Sequence, residues 1–177
     1  MRFVDCAFAE HGDAIRAIFN EAIETSTSVY DYGPRSRETI ESWFGAKHAN
    51  GYPVIGAIDD DDRLLGFASY GPFRLWDGYK YTVEHSVYVE KSARGRGIGE
   101  ALLRRVIEHA RASDYHVTIG AIDGANTASI ALHRKLGFEL AGTMREVGFK
   151  FGRWLDVVFY QLRFDTPSAP TSESLRR

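Results

Sequence analysis

Six consecutive residues, Arg94-Gly95-Arg96-Gly97-Ile98-Gly99, have the make-up of an anion cradle. They open an apolar-periodic stretch, and a helix N-terminus there presents free N–H groups and the positive end of its dipole. Glycine lets backbone approach phosphate oxygens with no Cβ in the way, and Arg94 and Arg96 can add charge-assisted hydrogen bonds. Several hosts use such a cradle. A dinucleotide fold wants it early in a βαβ unit, with an acidic residue about 20 positions later for the ribose. Asp114 or Asp123 is available, but a strand meander precedes the motif and argues against that fold. A P-loop is excluded because no Gly-Lys-Ser/Thr follows. Two further residues have proton-transfer chemistry. Glu84 is a carboxylate on a strand, where partial desolvation raises its pKa; the alternative is a surface residue. His133 lies on a later helix as a proton donor or as a histidine satisfied in an interface. His85 faces the opposite side of the strand from Glu84 and suits packing or hydrogen bonding. His11, His48, His109 and His116 read as surface or helix-end residues. Neither HExxH nor any other metal-ligand spacing occurs, so no metal is expected.

These residues need a scaffold. Helical spacing predicts helices over 14–23, 39–48 (with Ser36 as N-cap), 97–111 and 125–136, the last stopping at Gly137. Strands are predicted over 2–8, 54–58, 64–70, 81–90, 117–122, 138–150 and 153–164. Acidic residues 59–62 turn one hairpin, and Phe151-Gly152 turns the last. The 165–177 segment, rich in Pro, Ser and Thr, reads as a disordered tail after a domain over 1–164. The 177 residues suit one domain with a sizeable core. The pattern predicts an α+β fold: a mixed, mostly antiparallel sheet of about seven strands, flanked by about four helices. A net charge of −2, with no basic stripe, speaks against nucleic acid as a partner. No apolar run approaches the about 20 residues of a membrane span. The N-terminus lacks a signal-peptide core. The single cysteine, Cys6, reads as a packed small hydrophobe. These features together predict a cytoplasmic protein.

Arg94-x-x-Gly97-x-Gly99, followed by Asn126-x-x-Ser129-x-x-Leu132-His133-x-x-x-Gly137-Phe138, resembles the GNAT acetyltransferase superfamily over roughly residues 2–164. Within it, Glu84-His85-Ser86-Val87-Tyr88-Val89, Leu132-His133 and Gly148-Phe149-Lys150-Phe151-Gly152-Arg153-Trp154-Leu155-Asp156, with Phe73-Arg74, are similar to the phosphinothricin and methionine sulfoximine acetyltransferases. The resemblance implies acetyl-CoA as co-substrate, with a central strand pair splayed apart around it. The Val87-Tyr88-Val89 backbone would pair with the pantetheine arm as an added strand, Asn126 and Ser129 would lie beyond the splay, and residues 94–99 would hold the pyrophosphate. Glu84 would be the general base, directly or through water, and His133 the proton donor to the departing thiolate. A backbone N–H such as that of Val87 would steady the oxyanion. No activated Ser or Cys suggests an acyl-enzyme, so attack is expected to be direct.

Arg74 can bind a carboxylate bidentately. With Leu75, Trp76, Glu84, His85 and Ser86, and with Thr27 and Tyr30 of the loop after the first helix, it makes the expected acceptor side. Lys150 and Trp154 are further wall candidates. The expected activity is acetylation of the α-amine of a small amino acid or analogue: phosphinothricin, methionine sulfoximine or methionine sulfone. The alternatives are another amine, a protein N-terminus, or a non-catalytic acyl-CoA sensor. Relatives are commonly dimers, and Phe149, Phe151, Trp154, Phe159 and Tyr160 of the final hairpin are the interface candidates.

Overall fold

The apolar periodicities resolve into seven strands and four helices: β1 (Arg2–Asp5), α1 (Phe8–Thr25), α2 (Arg37–Ala49), β2 (Val54–Ile58), β3 (Leu64–Pro72), β4 (Thr82–Val89), α3 (Ile98–Ala112), β5 (Val117–Asp123), α4 (Thr127–Lys135), β6 (Glu139–Lys150) and β7 (Arg153–Arg163). The computed structural model describes residues 1–173. The strands form one sheet in the order β1-β2-β3-β4-β5-β7-β6, mostly antiparallel, with β4 and β5 parallel. This is the α+β class expected. The chain divides into two compact units: Met1–Tyr70 with Ser86–Val106, and Gly71–His85 with Ile107 onward. The division falls within β4, after His85.

The first unit is built on an aromatic core. Ile15, Ile18 and Phe19 of α1 pack with Ile40 and Phe44 of α2 and with Phe67 of β3, all buried. Each such side chain contributes roughly 1.5–3 kcal/mol by leaving water. Phe19 meets Phe67 and Tyr88 at ring-centroid distances of 4.9 Å each. Ser36 caps α2 as expected, accepting from the Thr39 N–H at 3.2 Å. Two boundaries differ from expectation. β1 ends at Asp5 and α1 begins at Phe8 rather than at 14, because Phe8 supplies an earlier apolar turn that packs on Phe44 at 5.9 Å. Cys6 lies between the two elements, half-buried, and burial pushes its thiol up to about 12.

In the second unit, β5 pairs in parallel with the start of β4 and antiparallel with β7, which pairs with β6. Val83, Thr118, Phe138, Tyr160 and Phe164 are buried here. Tyr160 is therefore core, a correction to its place among surface interface candidates. The turn residues Phe151 and Gly152 have φ of 50° and 74°. The described part of the 165–177 segment makes hydrogen bonds to the second unit. His116 Nδ1 bonds the Thr166 carbonyl at 2.9 Å, Thr166 Oγ1 donates to the Tyr115 carbonyl at 2.6 Å, and the Thr171 N–H donates to the Tyr81 hydroxyl at 3.1 Å. Three hydrogen bonds to the ends of β4 and β5 hold a stretch whose composition alone reads as loose. Residues 174–177 lie outside the described part.

Candidate active site

In the first unit the Arg94–Gly99 loop leads into α3, whose first turn closes with the Ala101 N–H on the Gly97 carbonyl at 3.1 Å. The N–H groups before Ala101 therefore have no carbonyl within the helix. Gly95 and Gly97 have φ of 77° and 79°, and a Cβ at either would meet no atom within 4 Å. The turn needs glycine for its backbone angle, and it leaves open space where a ligand's oxygens can sit. The two arginines are not equivalent. Arg94 Nε donates to the Val89 carbonyl at 3.0 Å, and its guanidinium pairs with Glu21 of α1. Arg96 is exposed and has no ion pair among the described residues. Glu21, 73 residues from its partner, has no local sequence signal. Beside it, Ile18, Glu21, Arg63, Leu64 and Glu90 line a pocket of about 300 Å³.

Along Ser86–Val89, the Tyr88 side chain lies over Phe19 and Phe67, so this residue offers a ligand its backbone and not its ring. Ser86, Val87 and Val89 are half-buried. Thr27 is half-buried in the α1–α2 connection, and the Tyr30 hydroxyl is buried there. Ile98 is buried and anchors the helix start.

The second unit gathers the proton-transfer candidates. β4 and β5 pair at Thr82↔Val117, Val83↔Thr118 and Glu84↔Ile119, and the register ends there, although β4 runs on to Val89 and β5 to Asp123. Glu84 is half-buried. Burial pushes its carboxyl above the ordinary range, and the positive charge of Arg74 draws it partly back. Arg74 stands exposed, its guanidinium 4.3 Å from the centroid of the Phe73 ring and donating to the Phe73 carbonyl at 2.8 Å. Leu75 and Trp76 are 90% and 72% exposed beside it.

His85 and His133 form a buried pair. Their rings stack at 5.2 Å with Nε2 atoms 2.9 Å apart. His85 Nδ1 lies 3.0 Å from Thr118 Oγ1, and His133 Nδ1 lies 2.7 Å from the Ser129 carbonyl. Burial lowers His85 to about 3 and lowers His133 as well, so both rings are neutral near pH 7. Asn126 caps α4, its Oδ1 accepting from the Ser129 N–H at 3.0 Å, which leaves its Nδ2 to reach a ligand. Lys150 is buried, whereas Trp154 is 62% exposed and packs its ring on Phe149 at 5.0 Å. Glu84, His85, His133, Asn126, Ser129, Arg74, Leu75 and Trp76 thus share one unit. Ser86–Val89, the glycine loop, Thr27 and Tyr30 belong to the other. Thr118 escaped the sequence reading, although its strand alternation with Gly120 marks one face of β5.

The family model for the acetyltransferase (GNAT) family matches residues 15–138. The chain belongs to that family. It is 48% identical, over 88% of its length and 91% of the relative's, to the L-methionine sulfoximine/L-methionine sulfone acetyltransferase of Pseudomonas paraeruginosa. A solved chain from Acinetobacter baylyi ADP1 superposes with a TM-score of 0.96 at 51% identity, covering 97% of this chain and 96% of that one. The phosphinothricin acetyltransferase of Sinorhizobium meliloti, solved in complex with acetyl-CoA, superposes with a TM-score of 0.92 at 36% identity, covering 99% and 95%. The protein is a GNAT-family N-acetyltransferase.

Proposed function

We propose that the enzyme acetylates the α-amine of a small amino acid or analogue of the methionine sulfoximine, methionine sulfone or phosphinothricin type. The observation that carries this is a half-buried Glu84 carboxyl in the same unit as the exposed Arg74 guanidinium, the carboxyl raised by burial and drawn partly back by the arginine's charge. An α-amino acid presents the complementary pair. Its carboxylate suits the Arg74 guanidinium, and its ammonium must lose a proton before it can attack, which suits Glu84 as base. Acetyl-CoA supplies the acetyl thioester. The ammonium gives one proton to Glu84, the amine nitrogen then bonds to the carbonyl carbon, the carbon–sulfur bond breaks, and the second proton released by that nitrogen passes through solvent to the departing thiolate.

The donor is held mainly by backbone. The N–H groups of the 94–99 turn and the exposed Arg96 suit a pyrophosphate. The Val87–Val89 backbone suits the pantetheine amides; Asn126, in the other unit, offers its Nδ2 as a hydrogen-bond donor. His133 spends both ring nitrogens inside the protein, so its part is to order α4 rather than to protonate the thiolate. Phe149, Phe151 and Trp154, exposed on the β6–β7 hairpin, are the surface on which a homodimer would form. The single cysteine fits a reducing, cytoplasmic setting, and no helix among the described residues is long and apolar enough to cross a membrane.

A thiol-release assay with acetyl-CoA against a panel of amino acids, their decarboxylated amines and short peptides tests the acceptor. Turnover with methionine sulfoximine and its relatives, lost on decarboxylation, is expected. Equal turnover of the decarboxylated amines would overturn the carboxylate role.

A further inference from the structure

The parallel pairing of β4 with β5 stops at Glu84↔Ile119, so the residue proposed as the base sits where backbone support from β5 ends. The next residue, His85, supplies side-chain hydrogen bonds in its place. Their direction follows from the chemistry of the partners. The Ser129 carbonyl only accepts, so His133 Nδ1 carries the hydrogen. In a neutral ring His133 Nε2 is then bare and accepts, so the hydrogen between the rings belongs to His85 Nε2. His85 Nδ1 is bare in turn and accepts from the Thr118 hydroxyl. The chain runs Thr118 to His85 to His133 to the Ser129 carbonyl, and Thr118, His85 and His133 are all buried.

We propose that His85 is a positioning residue: through Thr118 of β5 and His133 of α4, it fixes β4 where the backbone pairing stops and so holds Glu84 in place. This rests on the reading of Glu84 as the base. Only a neutral imidazole offers one donor and one acceptor on opposite sides of a rigid ring, which is what an accepting His133 Nε2 and a donating Thr118 hydroxyl require. The chain moves no proton. Gly120 of β5 makes the room, since a Cβ there would lie 2.8 Å from His133 Nε2 and 3.1 Å from His85 Cε1. Displacing a reacting group by about 1 Å can cost up to about 10²-fold.

The test uses the full chain with ¹⁵N-labelled histidine. Imidazole nitrogen shifts at pH 7 should show His133 as the neutral Nδ1–H tautomer and His85 as the neutral Nε2–H tautomer. An Nε2–H or charged His133 would overturn the proposal. In kinetics, His85→Ala should lower kcat roughly 10–100-fold, the range for a misplaced reacting group, with acetyl-CoA affinity by calorimetry unchanged within about twofold. His85→Gln keeps a donor for His133 and should recover most of that loss. Thr118→Val, which keeps the shape of the side chain, should lower kcat by about fivefold, in line with one lost hydrogen bond. Equal kcat values for His85→Gln and His85→Ala, or a fall in acetyl-CoA affinity matching the fall in kcat, would reduce His85 to a packing residue and overturn the proposal. If the unaltered enzyme acetylates no amino acid, the proposed function fails before any variant is compared, and the tautomers are still read from the spectra.

Discussion

Between Thr82 and His85, β4 is held by backbone pairing to β5 and by the His85 side chain, and what it offers a substrate is the Glu84 carboxyl. Between Ser86 and Val89, the same strand is held by the Tyr88 ring in an aromatic core and by Arg94 on the Val89 carbonyl, and what it offers is backbone. On the proposed reading, the first half of the strand serves chemistry through Glu84, and the second half serves recognition of the donor. Backbone recognition tolerates many side chains but demands particular φ angles and open space, as at Gly95 and Gly97. Side-chain chemistry demands particular residues and a rigid frame behind them.

Four changes would break or sharpen this contrast. Glu84→Gln should have the largest effect, lowering kcat roughly 10²–10⁴-fold, the usual worth of a general base. Acetyl-CoA affinity by calorimetry should move less than about twofold, since the donor half of the strand is untouched. A kcat within threefold of the unaltered enzyme would remove Glu84 as base.

Arg74→Ala should raise the KM for an amino acid roughly 10–100-fold, the range for a lost charged hydrogen bond, with the KM for acetyl-CoA steady. It should also move the pH profile. The base form of Glu84 is lost as pH falls through its pKa, which burial has raised and Arg74 holds back. Without the arginine that pKa climbs further, so the acid limb of kcat/KM should shift to higher pH, and Arg74→Lys should restore it. A limb that stays put would separate the two residues.

Gly97→Ala tests the donor half. At a φ of 79° an alanine is strained by about 1–2 kcal/mol. Acetyl-CoA affinity should therefore fall roughly 5–30-fold with the amino-acid KM unchanged, as titration calorimetry and initial rates would show. The smallest effect is expected from Glu21→Gln. The Arg94–Glu21 pair is partly exposed, and such pairs contribute little. The KM for acetyl-CoA should shift by less than about threefold, and a larger change would make Arg94 a donor ligand that Glu21 restrains.

The same contrast explains what was legible in the sequence. The glycine turn at the start of α3 was readable because a helix N-terminus and two left-handed glycines are local features, carried by consecutive residues. Most strands and helices were readable because their apolar faces repeat along the chain. The start of α1 was misplaced because its first turn is justified only by Phe44 on α2. The contacts of the tail's described part with Tyr81, Tyr115 and His116 were not legible, because they join segments far apart in the chain. The His85–His133–Thr118 chain joins three elements and could not be assembled from spacing. His85 was placed on the right face by alternation alone, but the partners waiting there were invisible.

Gly120 has a consequence for how this protein can change over generations. While imidazoles occupy positions 85 and 133, any side chain at 120 collides with them. The histidines must be lost or reduced before the glycine can be replaced. While a larger residue stands at 120, the paired rings are excluded until glycine returns. The three positions therefore constrain one another, and the order of substitutions decides which intermediates are reachable.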